Sequence, residues 1–407
     1  MSDLTSKNPA LRNTGFVLFF LSGICSISSG IVVSILRDSY GLHFSTTGTL
    51  LSILAFGNII ASFLAGFLPS KIGAKKSALF LTFGYFLGYL LCAFTGVFGL
   101  LAFAFLSIGL AKGGAITNCT VLVSTNAIER TRAMNVLHAC YAAGALLCPV
   151  IIQGFLRIHG HAPMIGIAIA GLLMWLLFLV TKLPEAKKSA SADADDVSAS
   201  SASETEHVST SAETAEHDGT YAFLRDTTFW ILTALVFCQN AAEQSVNGWL
   251  VTYFKSEQIL SGTLANYTVS IMWGATLIAR LLIAFVFPVR NLYKTLSVMG
   301  FSLTILYAIL VQMHTPATAS IALFLFAFAM AGVNPLAISG VGQMTSTASM
   351  GILLSTASCG AIIMPYIIGL IGDAVSLQAG MAANLLPCIG IFILSFVMYR
   401  KTMTVKK

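Results

Sequence analysis

Twelve apolar runs, each close to the ~20 residues a helix needs to cross a bilayer, constrain this chain more than any single motif. They cover roughly 14–36, 47–70, 77–96, 98–127, 133–156, 163–181, 227–254, 263–287, 292–312, 316–342, 347–371 and 377–399. Such a pattern predicts an all-α membrane protein with twelve transmembrane helices. Composition agrees, with 57% hydrophobic residues, 9% charged residues and a mean hydropathy of +0.86. Ordinary soluble domains are far more charged.

Basic residues set the expected orientation, because cytoplasmic loops retain Lys and Arg. Seventeen of the 22 fall on one side of the predicted membrane, among them Lys71, Lys75, Lys76, Arg130 and Arg132. Arg37, Arg157 and Lys255 fall on the other side, while Lys112 and Arg280 lie within spans. Both termini are therefore expected in the cytoplasm, in a multi-pass protein of the cell membrane. The first span is longer than a signal core and no small-residue cleavage site follows it, so no cleavable signal is expected. The net charge of +6 follows from the same bias and implies no nucleic-acid partner. All eight cysteines lie in apolar spans without a paired C-x-x-C, which predicts packing thiols and neither disulfides nor zinc. No cofactor is expected, and no metal-ligand spacing, nucleophile motif or phosphate loop points to an enzyme.

The division of the chain follows from one break in this pattern. Residues 183–225 are rich in Ser, Ala, Asp, Glu and Thr and hold nine of the sixteen acids, which predicts a disordered cytoplasmic linker. The expected organisation is a cytoplasmic N-terminus (1–13), a six-helix bundle (14–182), the linker (183–225), a second bundle (226–400) and a basic tail (401–407). A shift of 216 positions lays GALLCPVII (144–152) on GAIIMPYII (360–368), aligning Pro149 with Pro365 and Asn118 with Asn334. Parallel six-helix repeats of this kind build some secondary transporters, with the solute site at the repeat interface near the midplane.

The seventh span carries a polar stripe. In CQNAAEQSVNGWLVTYF (238–254), Gln239, Glu243 and Asn247 recur every four residues on one helical face, with Asn240 on its edge. A carboxylate in the middle of a span costs on the order of 2.5–3.5 kcal/mol by insertion scales, so it should face protein or water and is a functional candidate. The alternative is a structural acid that ties helix to helix.

Between the second and third spans stands Gly66-Phe-Leu-Pro-Ser70-Lys71-Ile-Gly73-Ala74-Lys75-Lys76, and this resembles the gating-loop motif of the major facilitator superfamily. Ser70 occupies the motif's acidic position and Ala74 one of its basic ones. Asn135 to His138 followed by Gly144 and Pro149, Gly109 to Asn118, and Glu243 followed by Asn247-Gly248-Trp249-Leu250 and Tyr253 are similar to the fucose-permease and sugar-proton-symporter branch. Gly114 stands where that branch often carries a proton-linked Glu. The resemblance implies the major facilitator fold, two pseudo-symmetric six-helix bundles, with helices 1, 4, 7 and 10 lining a central cavity. It also implies a gating loop at Gly66, Lys71, Gly73, Lys75 and Lys76.

Candidate roles follow. Glu243 is expected to couple transport to protons, with Na⁺ left open as the ion. Gln239, Asn240, Asn247, Asn118 and Asn334 offer amides that both donate and accept, which suits a sugar or polyol. Trp249 is a stacking platform or an interfacial anchor. Arg280 is expected to hold Glu243 or to grip an anionic solute. Lys112, six residues before Asn118 and so about 120° away, is expected to pair with an acid or snorkel outward. His138 is a proton shuttle or a packing residue. The leading expectation is proton-coupled transport of a small polar solute, a sugar, by a monomer in the lipid bilayer. Organic-anion exchange or efflux through Arg280 is the alternative, and a transporter-like solute receptor a third.

Overall fold

A computed structural model describes residues 8–128, 130–181, 222–286, 289–342 and 347–405. Six helices precede the acidic segment: α1 (Pro9–Tyr40), α2 (Phe44–Ile72), α3 (Ala74–Phe94), α4 (Phe98–Asn126), α5 (Arg130–Leu156) and α6 (Ala162–Val180). Eight follow it: α7 (Thr227–Ser256), α8 (Gly262–Phe285), α9 (Leu292–Val311), α10 (Pro316–Met330), α11 (Val333–Gly342), α12 (Thr347–Ala374), α13 (Leu377–Ala383) and α14 (Leu385–Val405). No strand occurs among the described residues.

Among the described residues, eleven helical stretches are long and apolar enough to cross a membrane. The twelfth is α7, whose 30 residues span about 45 Å and whose polar stripe lowers its hydropathy. Two expected spans are each divided in two. The span at 316–342 is two helices, because Pro335 supplies no N–H to the Ala331 carbonyl four residues earlier and the helix breaks at 331–332. The last span is likewise divided, at Asn384. Helical structure also reaches into both expected tails, since Asn8 caps α1 and α14 continues to Val405, with Lys401 donating to Thr228 Oγ1 at 2.7 Å. Of the expected linker, residues 183–221 lie outside the described residues, and Ala222–Arg225 form a 3₁₀ turn rather than disordered chain.

The helices before the acidic segment pack mainly with one another, α1 on α5, α2 on α4, and α3 on α4 and α6. Those after it do the same, with α7 on α12 and α14 and α9 on α14 and α10. The repeat is visible in backbone contacts. A Cβ on Gly144 would collide with the Phe20 carbonyl oxygen and crowd the Ile24 amide, and one on Gly360 would do the same to Phe237 and Ala241. Small residues let the α1–α5 and α7–α12 backbones meet in the same way in each half.

Between the halves, α1 meets α7, α2 meets α12 and α5 meets α8. Among the described residues, bonds across this interface gather at the end remote from the termini, here the far end. Ser52 Oγ donates to the Ile362 carbonyl at 2.6 Å, and Ser270 Oγ donates to the Leu146 carbonyl at 2.8 Å. Leu146 and Ile362 stand 216 positions apart, so one contact repeats the other. Asp373 caps α2, its two carboxylate oxygens accepting from the Phe44 and Ser45 amides at 2.7 Å each. Lys255 reaches Asp38 at 3.5 Å, and Gln153 bonds both Thr263 and Asn266 at 3.2 Å. The opposite end, which carries the termini, is the near end.

Candidate functional site

Asp226 starts α7 by accepting from the Thr228 amide at 2.8 Å, which fixes where the polar stripe falls. Gln239 and Glu243, four residues apart, touch: Gln239 Nε2 donates to Glu243 Oε2 at 3.1 Å. Gln239 is buried with its Oε1 unpartnered, and Glu243 is half-buried. Asn240 and Asn247 are also half-buried.

The charge facing Glu243 is not the one expected from the sequence. Lys112 on α4 lies within electrostatic reach of Glu243, as does Tyr141 on α5. Arg280 forms no ion pair with Glu243. Its Nε donates to the Ala331 carbonyl at 3.4 Å, the acceptor that Pro335 leaves without a helical donor. The guanidinium thus braces the break between α10 and α11, and it also lies within electrostatic reach of His138 on α5. His138 packs edge-on to Phe19, 5.7 Å between ring centroids, and is exposed although it sits within an apolar helix. His138 on α5 and Arg280 on α8 thus stand within electrostatic reach of one another across the interface.

Rotation about α4 explains the first difference. With 100° per residue, the direction that brings Lys112 towards α7 turns Asn118 about 120° away from it. Lys112 therefore faces inward rather than snorkelling. The Asn118 amide donates to the Gly114 carbonyl at 2.7 Å, within its own helix. Asn334 is half-buried beside the α10–α11 break, its Oδ1 buried without a partner.

Trp249 does not line open space in this conformation. It is fully buried, with its indole N–H on the Pro365 carbonyl at 3.0 Å, and Tyr253 is buried one turn on with its hydroxyl on the Val311 carbonyl. Both are packed in this conformation. The expected gating loop reduces to a one-residue turn: α2 ends at Ile72, Gly73 has φ +88°, and α3 begins at Ala74. Only glycine adopts that φ without strain. Lys71 and Lys76 are exposed beside it and Lys75 is half-buried, while Gly66 lies on the α2 backbone.

Two aromatic residues that the sequence analysis did not single out stand at the centre. Tyr141 and Trp273, on α5 and α8, meet edge to face across the interface with centroids 5.7 Å apart. Trp273 precedes Arg280 by seven residues, two helical turns, so one face of α8 presents both. That spacing was available in the sequence.

The arrangement is a polar layer of Glu243, Gln239, Lys112 and Tyr141 at mid-helix, with Arg280 and His138 towards the near end. It can exchange a proton or hold an ion pair. Known proteins share this frame. The gallate transporter of Pseudomonas putida is 26% identical over 170 residues, 40% of this chain and 38% of that one. A bacterial homologue of the human lysosomal transporter Spinster, in an inward-facing and occupied conformation, superposes with a TM-score of 0.74 at 11% identity, covering 98% of each chain. The E. coli fucose:proton symporter superposes with a TM-score of 0.60 at 18% identity, covering 96% of this chain and 98% of that one. The Major Facilitator Superfamily model matches residues 15–349. This multi-pass membrane protein belongs to the Major Facilitator Superfamily and is a transporter, not an enzyme.

Proposed function

We propose that this transporter carries a small organic anion by alternating access and couples it to protons through Glu243. The observation that carries the reading is the placement of charges. Lys112 lies within electrostatic reach of Glu243 without an ion pair, and Arg280 has no carboxylate partner among the described residues and only its Nε bonded within the protein. A cavity with two cations and one acid is net positive and suits a carboxylate. Protonation of Glu243 frees Lys112 to join Arg280 in holding the anion, and deprotonation after release restores the Glu243–Lys112 pair. With the termini in the cytoplasm of a cell-membrane protein, the conformation described is inward-open. The acidic segment, 183–225, serves as a tether between the bundles.

A sugar is the second reading. The amides of Gln239, Asn240, Asn247, Asn118 and Asn334 favour it, as does the fold shared with a fucose:proton symporter. Competition between labelled carboxylates and labelled hexoses in proteoliposomes separates the two. Uptake driven by a pH gradient, blocked by carboxylates and indifferent to hexoses, is the expected result. Blockage by hexoses alone would favour the sugar, and drive by a Na⁺ gradient alone would remove the proton from the cycle.

A further inference from the structure

The chain has four tryptophans. Three give their indole N–H to a backbone carbonyl: Trp175 to Leu79 at 3.0 Å, Trp230 to Leu224 at 2.8 Å and Trp249 to Pro365 at 3.0 Å. Trp273 does not. Its ring is 8% exposed and its Nε1 is buried with no acceptor. Folded proteins seldom leave a buried donor unpaired, and each such group asks for a reason.

Its position supplies one. One turn towards the far end, Ser270 bonds the Leu146 carbonyl and the halves are closed. Two turns towards the near end stands Arg280, about 10 Å along the helix axis. Trp273 thus lies on α8 between the closed stripe at Ser270 and the guanidinium of Arg280. Its ring rests on Tyr141, which lies within electrostatic reach of Glu243. On α7, Glu243 Oε2 already takes the Gln239 amide, and Gln239 Oε1 is buried without a donor, so it makes no bond to the indole.

We infer that Trp273 is a specificity-determining residue, whose indole N–H donates to an acceptor oxygen of the solute while Arg280 holds its carboxylate. The inference rests on the organic-anion reading. It selects carboxylates that carry a second oxygen at the end remote from the carboxylate over those that end in an apolar group. A hydrogen-bonding site rejects an analogue that lacks the partner, because the protein group is then left unpaired.

The test is transport and competition in proteoliposomes with two matched pairs, 4-hydroxybenzoate against benzoate and gluconate against hexanoate. Wild-type protein should prefer the hydroxylated member of at least one pair. In Trp273→Phe, which keeps the ring and removes the donor, KM for that member should rise about 5- to 10-fold, the loss of one hydrogen bond, with kcat and the KM of its apolar partner unchanged. Retention of the full preference by Trp273→Phe overturns the inference and leaves the organic-anion reading standing. Failure of all four compounds to bind wild-type protein overturns that reading and the inference with it. Should the variant not fold, ¹⁵N-indole-labelled wild-type protein decides. One of the four indole signals should move with the hydroxylated member and stay with the apolar one, and four unmoved signals on a bound hydroxylated probe reject the proposal.

Discussion

The two ends of the interface between the halves are built on different principles. At the far end Ser52 and Ser270 reach backbone carbonyls of the other half, and Asp373 accepts from two of its backbone amides. Backbone positions cannot rotate away, so these bonds require one relative placement of the bundles. Nearer the other end, His138 and Arg280 lie in one another's field across the interface, and the Arg280 bond goes to a carbonyl of its own half. The difference teaches where each kind of energy is used. The far end holds a conformation, and the centre and near end hold charges that can be exchanged.

The largest effect is expected at the centre. Glu243→Gln keeps the hydrogen-bonding shape but cannot cycle a proton, and it should lower pH-driven concentrative uptake about 100-fold, in the range of a lost proton-transfer group. Solute exchange at equal pH should survive. Full concentrative uptake by this variant would falsify the coupling role.

The next effect should come from the serine pair. Ser52→Ala and Ser270→Ala each remove one buried hydroxyl–carbonyl bond, worth about 0.5–1.5 kcal/mol. Because the two contacts share no partner, their effects should add. Spin labels at the exposed far-end positions 40 and 375 can measure this, with the double variant raising the far-end-open population roughly 10- to 30-fold. Equal distance distributions in wild-type and double-variant protein would show that the serines do not hold the closed end.

Asp373→Ala tests the charged cap on α2. His43, at the N-cap of α2, makes no capping bond, so Asp373 supplies the acceptors from the other half. Its exposure limits the contribution to about 1 kcal/mol, a shift of roughly fivefold in the same spin-label measurement. The smallest effect belongs to Lys255→Met. The Lys255–Asp38 pair is 3.5 Å long with Asp38 half exposed, so its loss should change the population by less than about threefold, and less again in high salt. A salt-independent effect as large as that of the serines would reverse the ranking of the far-end contacts.

Much of this architecture was legible in the residues. The apolar runs, the break at 183–225 and the offset that joins Gly144 to Gly360 are local or periodic signals, and each needs only side-chain chemistry and a helical period. The polar stripe of α7 was equally plain. Its partner was not. Lys112 and Arg280 were both visible as cations within spans, and Arg280 was the expected partner of Glu243. Pro335 decided otherwise by leaving the Ala331 carbonyl for Arg280 to satisfy. Trp273 escaped notice because a tryptophan in an apolar span is unremarkable until its N–H proves to have no acceptor.

By itself the sequence determined the membrane class, the helical spans, the duplication and the asymmetry that sets Glu243 against Ile27, its counterpart 216 positions earlier. Hydropathy and periodicity are properties of a chain read in order, and they survive any rotation of the helices. Only the tertiary structure decided which face of α4 turns inward, which cation meets the acid, which tryptophan is left unpaired and which end is closed. Those depend on the rotation of each helix about its axis and on the placement of one bundle against the other. Both are set by contacts between residues more than a hundred positions apart, such as Ser52 with Ile362 and Ser270 with Leu146.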